Sequence, residues 1–129
     1  MAERCIPTAL VFKNAILGLQ TGTAVGIFSH LALCGENMSG FDVDTTDFTD
    51  EITREAVSPT LETVTKTDDT VVMTKSAWKP GADTIYGAGV ACGLEDATMQ
   101  IFHEWATSVA FEANDTVTET IKLQAKQGS

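Results

Sequence analysis

The chain is 129 residues long, enough for one domain with one core, and its 18 acidic residues against 8 basic ones give a net charge of −10. That balance argues against the phosphates of nucleic acid or anionic lipid as partners, and no Lys/Arg cluster offsets it. No apolar stretch approaches the ~20 residues of a membrane span, and the ordinary hydrophobic fraction argues against disorder.

Threonine is the unusual residue: nineteen in all, sixteen of them after Asp44. Thr is β-branched and suits the exposed face of a strand, so the C-terminal two thirds read as all-β. The three cysteines, Cys5, Cys34 and Cys92, form no disulfide framework and are expected as free thiols. Lys13 and Asn14 interrupt the only apolar region near the N-terminus, so a soluble protein made in the cytoplasm is expected.

In chain order, Pro7–Gln20 is the one helix candidate, with Pro7 in its first turn and Leu10, Phe12, Ile16, Leu17 and Leu19 on one apolar face. Val25–Cys34 is apolar at both parities and is expected as a strand that is central or covered on both sides. Gly35–Glu51 is a long acidic loop, of a length that tends to be functional or to order against a partner. Ile52–Thr67 and Thr70–Trp78 are expected to form a hairpin about Asp68-Asp69, with Pro59 marking an edge or bulge.

Thr84–Leu94 alternates Tyr86, Ala88, Val90, Cys92 and Leu94 on one face with Gly87, Gly89, Ala91 and Gly93 on the other. A glycine face implies close approach of another backbone or a bulky side chain. Met99, Ile101, His103 and Trp105 share a face of the next strand, and Val109 and Phe111 continue it after a break at Ala106–Ser108. An Asn114-Asp115 turn then opens a last strand with Val117, Ile121, Leu123 and Ala125 facing in. The expected fold is therefore a single β-sandwich, or a barrel-like sandwich, over residues 1–129, preceded by one N-terminal helix. Its expected core contains Tyr86, Val90, Ile101, Trp105, Val117, Ile121 and Leu123.

No motif carries catalysis. Read as an EF-hand from Asp42, the acidic loop has Asp47 at the sixth position, where Gly is needed, and Thr53 at the twelfth, where Glu is needed. His30, Cys34, Cys92 and His103 lack the close spacing that nucleates a zinc site. His103-Glu104 begins like H-E-x-x-H, but residue 107 is Thr, and on a strand the pair points to opposite faces. Accordingly no enzyme, no cofactor and no metal is expected, and the work falls to surfaces.

Several segments, in this order, resemble those of small virion structural proteins of tailed bacteriophages: LVFKNAILGLQ, HLALC, the acidic loop, ITREAV, SAW, TIYGAGVACGL, QIFHEWA and FEANDTVTETIKLQA. In that family a helix precedes a β-sandwich, a motif with a central Arg follows a variable loop, and a Gly-Asp turn opens the last strand. Arg54 matches the central Arg, with Ile52 where an aromatic is common, and Asn114-Asp115 matches the turn without its Gly.

The resemblance implies a non-enzymatic part of the particle, a capsid decoration or cement protein on the outer shell, or else a tail or neck ring component. Partners would be the major capsid protein or tail and neck proteins, and further copies of the chain. A reading of another class is a cellular β-sandwich module that binds a ligand or calcium through the loop. The expected interface is the loop itself: Phe41, Val43 and Phe48 gain from a partner's cover, Asp42, Asp44 and Asp47 meet its basic groups, and Arg54 ties the loop to the body.

Overall fold

The computed structural model describes residues 3–9, 28–67, 70–91 and 99–124. Among these the protein is almost entirely β. The strands are β1 (Arg4–Pro7), β2 (His30–Cys34), β3 (Glu51–Ala56), β4 (Thr60–Glu62), β5 (Thr70–Trp78), β6 (Thr84–Ala91), β7 (Met99–Ala110) and β8 (Val117–Gln124). They form two antiparallel sheets, one of five strands in the order β1-β7-β6-β2-β3 and one of three in the order β4-β5-β8. The expected helix falls mostly on residues 10–20, outside the described residues. Pro7 itself ends β1 instead of opening a helical turn.

β2 is central, as its two apolar faces require: it pairs with β6 on one edge and β3 on the other, and Leu31–Cys34 are wholly buried. The expected long first arm of a hairpin does not form. β3 pairs with β2 in the larger sheet, whereas β4 pairs with β5 in the smaller one, so the chain changes sheet at Val57-Ser58-Pro59. Pro59 cannot donate to a ladder and stands at that crossing, immediately before β4.

One apolar cluster lies between the sheets. Leu31, Leu33, Ile85, Ala88, Val90 and Ile101 enter it from the larger sheet, and Met73, Trp78 and Ile121 from the smaller. Trp105, Val117 and Leu123 pack against it, half-buried. Tyr86 does not. The β6–β7 register shifts between Ile85 and Gly87, which resets the alternation: Ile85 turns into this core and Tyr86 turns to the opposite face. The expected break at Ala106–Ser108 is likewise no strand end. β7 runs through it, and only its ladder to β6 is irregular there.

A second cluster covers the outer face of the five-stranded sheet, where Met38 and Phe48 of the acidic loop lie on Ala32, Cys34, Ala91, Met99 and Phe102. This explains the glycine face of β6. A Cβ at Gly87 would run into the His103 carbonyl and the Met38 sulfur, and one at Gly89 would meet the Phe48 ring at 2.8 Å. Cys34, at the edge of this layer, is a core thiol whose pKa burial pushes up to about 12.

A bulge in β5 makes a separate prediction. Its register with β8 shifts between Lys75 and Trp78, and the intervening Ala77 sits at φ 52°, while Trp78 is turned into the core. That backbone region costs a residue with a Cβ about 1 kcal/mol, and Ala77 is exposed, so nothing else depends on its methyl group. Ala77→Gly is expected to stabilise the protein by roughly 0.5–1 kcal/mol in urea unfolding. A loss of stability would show that the bulge conformation is not the one that counts.

Candidate functional site

The acidic loop between β2 and β3 is not a free excursion. Its base is closed by the Gly35 N–H donating to the Asp50 carbonyl at 2.8 Å. Glu36 then holds the returning chain, accepting from the Thr49 hydroxyl at 2.6 Å and from the N–H groups of Thr49 and Asp50. Further along, the Ala9 N–H donates to the Val43 carbonyl and the Met99 N–H to the Thr46 carbonyl, both at 2.7 Å.

Arg4 completes the attachment. Its guanidinium donates to the Met38 carbonyl at 2.8 Å and the Phe41 carbonyl at 3.2 Å, while its Nε meets Glu104 at 2.5 Å. This is the role expected of Arg54: fixing the loop to the body through backbone carbonyls. Arg54 itself forms a two-pronged pair with Glu51, the last residue of the loop, at 2.5 and 3.1 Å, with its own side chain only 7% exposed. β1 lies beside β7, opposite Glu104, and so brings Arg4 to the loop across 34 residues of sequence.

The expected interface residues divide accordingly. Phe48 is buried, and Phe41 packs edge-on against Phe102 at 4.9 Å and stacks with Phe48 at 6.1 Å. Phe41 and Phe48 therefore find cover on their own domain, where the glycine face of β6 and Phe102 make a seat for them. Val43 alone of the three stays open, at 50% exposure, between the exposed Asp42 and Asp44. Asp42 shapes this tip: its carboxylate accepts from the Asp44 N–H at 2.9 Å, and its own N–H donates to the Thr45 hydroxyl. Asp47 accepts from the Phe48 N–H at 2.8 Å. Among the described residues, no group of three His, Cys, Asp or Glu side chains is placed to hold a metal ion.

Sequence reasoning missed two buried carboxylates. Glu104 faces Arg4, and Glu119 takes an inward position on β8 between Val117 and Ile121. Glu119 accepts from the Trp105 indole at 2.7 Å and lies 2.5 Å from His103 Nδ1. His103 and Glu104 thus do point to opposite faces. The signal available was parity, since Glu119 shares the phase of Val117, Ile121 and Leu123.

Acid should loosen the loop's base. Desolvation raises the pKa of Glu36, but the hydrogen bonds from Thr49 and Asp50 outweigh it and leave the carboxyl below its ordinary 4.5. A depressed carboxylate stabilises the fold above its unfolded value, and that contribution disappears as pH falls through the folded one. Glu36→Gln is expected to cost at most about 1 kcal/mol at neutral pH, since the site is open to solvent, and to flatten the stability profile below pH 4.5. Profiles of equal slope for the two proteins would remove Glu36 from the account of acid sensitivity.

No family model matches the chain, and neither the curated proteins nor the solved structures supply a match.

Proposed function

We propose that this protein is a non-enzymatic structural component of a tailed-bacteriophage particle, a capsid decoration protein that docks on the outer shell. The observation that supports docking is the pinned loop tip. Arg4, Glu36, Met38 and Phe48 hold the loop against the larger sheet, so Asp42, Val43 and Asp44 form a fixed, exposed acidic ridge. A ridge already ordered before binding loses little conformational freedom on docking, and its carboxylates steer it toward basic groups. The phage assignment rests on the order of sequence segments given above. In a symmetric shell, a small contact repeated many times gains avidity without a large patch on each copy.

Quantitative mass spectrometry of purified particles tests this. Hundreds of copies per particle are expected of a decoration protein, about six to twelve would move it to a neck or tail ring, and its absence from particles would overturn the reading. Val43→Asp together with Asp44→Lys alters only the ridge. That variant is expected to fold normally and to incorporate poorly.

A further inference from the structure

We propose that Glu3 is a proton-dependent latch on His103: it stays on the imidazole, as one wall of a groove between β1 and β8, while the ring carries two protons, and it swings into solvent when one is lost. This inference does not depend on the particle assignment.

The geometry carries it. His103 Nδ1 lies 2.5 Å from a Glu119 oxygen, and His103 Nε2 lies 2.6 Å from a Glu3 oxygen. A neutral imidazole has one N–H and one lone pair, so it satisfies only one of two carboxylates at these distances. Two ionised acceptors on opposite sides of the ring require both nitrogens to donate, which is the imidazolium. The groove beside it, of about 260 Å³, is lined by Glu3, Cys5, His103, Thr120, Ile121 and Lys122.

The charged surroundings agree. Cys5 faces His103 across the β1–β7 ladder, and the nearby Lys122 is drawn away to Glu62 at 3.1 Å. Arg4 and Glu104 pair with each other on the opposite face. Burial favours the neutral ring, but the hydrogen bonds and charges of Glu119 and Glu3 outweigh it and raise the pKa above its ordinary 6.5. A raised histidine stabilises the fold fully below its unfolded value, and that contribution is lost as pH rises through the folded one.

The structure also decides which contact opens. Glu119 is 3% exposed and is held a second time by Trp105, whereas Glu3 is 64% exposed. When the Nε2 proton leaves for solvent, its lone pair faces Glu3, which is free to rotate outward. The Nδ1–H bond to Glu119 remains. The β1–β7 ladder also runs through Arg4 and Ile6, beside the Arg4–Glu104 pair, so β1 stays paired with β7 and the change is confined to the latch.

The test is an NMR titration of the His103 ring nitrogens in the full chain, from about pH 5 to 9. The ring is expected to titrate with a midpoint above the ordinary 6.5, both nitrogens being protonated below it, with the Arg4 and Cys5 amide signals changing at the same midpoint. Glu3→Gln should move that midpoint downward, and Glu119→Gln should move it further. Glu3 is exposed, so its variant folds even if the Glu119 variant does not. A midpoint at or below the ordinary 6.5, or a Glu3→Gln titration that superimposes on the unmodified protein, would overturn the proposal.

Discussion

Replacing Phe41 and Phe48 together by Ser is expected to destabilise the isolated protein by about 5 kcal/mol, near the low end of the total stability of a domain this size. Phe48 is 7% exposed, and its ring closes on Gly89, Met99 and Phe102. Truncating a buried Phe costs roughly 3–5 kcal/mol through lost transfer energy and the cavity left behind. At position 48 a hydroxyl then faces an apolar layer. Phe41 adds less because it is only half-buried, but it contacts both Phe48 and Phe102. Urea unfolding measures the loss directly, and a change under about 1 kcal/mol would mean that the loop does not cover the sheet in solution. Poor particle incorporation by this variant would therefore report unfolding, not a lost contact. The ridge at Val43 and Asp44 is the place to probe binding.

Gly87→Ala is expected to be nearly as damaging, about 3 kcal/mol and on the order of 10 °C in melting temperature. The added methyl would overlap the His103 carbonyl of the adjacent strand and approach Met38 Sδ to 2.6 Å. Met38 is flexible and can give way, but the carbonyl belongs to the β6–β7 ladder, and moving it strains the strand that carries His103, Glu104 and Trp105. Gly40→Ala is the matched control, because nothing lies within 4 Å of a Cβ there. Equal melting temperatures for Gly87→Ala and Gly40→Ala would show that the two strands are spaced more widely than the structure has them.

Both expectations turn on the same local fact: the outer face of the larger sheet is a second apolar layer, covered by the loop. Arg4 is part of that cover, because three elements converge on its one side chain: β1 that carries it, β7 through Glu104, and the loop through the Met38, Ser39 and Phe41 carbonyls. The protein thus fixes its most acidic segment with one of its few cations.

Much of this was legible in the residues alone. Alternation and Thr content are local properties, and they identified β strands, the central position of His30–Cys34, and a glycine face awaiting a close neighbour. Val90, Ile101 and Ile121 were assigned to the core on parity and lie there. What parity could not supply was everything that depends on which strand lies beside which. Register shifts at Ile85/Gly87 and Lys75/Trp78 break the two-residue period, and so they exchanged Tyr86 for Ile85 and turned Trp78 inward. The division of the first hairpin arm between two sheets, the pairing of Arg4 with Glu104, and the meeting of His103, Glu119 and Glu3 each join residues distant in sequence. A carboxylate reads as solvated in a one-dimensional pattern, and only the arrival of Arg4, His103 and Trp105 from other strands makes Glu104 and Glu119 tenable inside the fold. The same holds for Phe41 and Phe48: their hydrophobicity was plain from sequence, but whether they face a partner or their own sheet was decided by the empty space above Gly87 and Gly89.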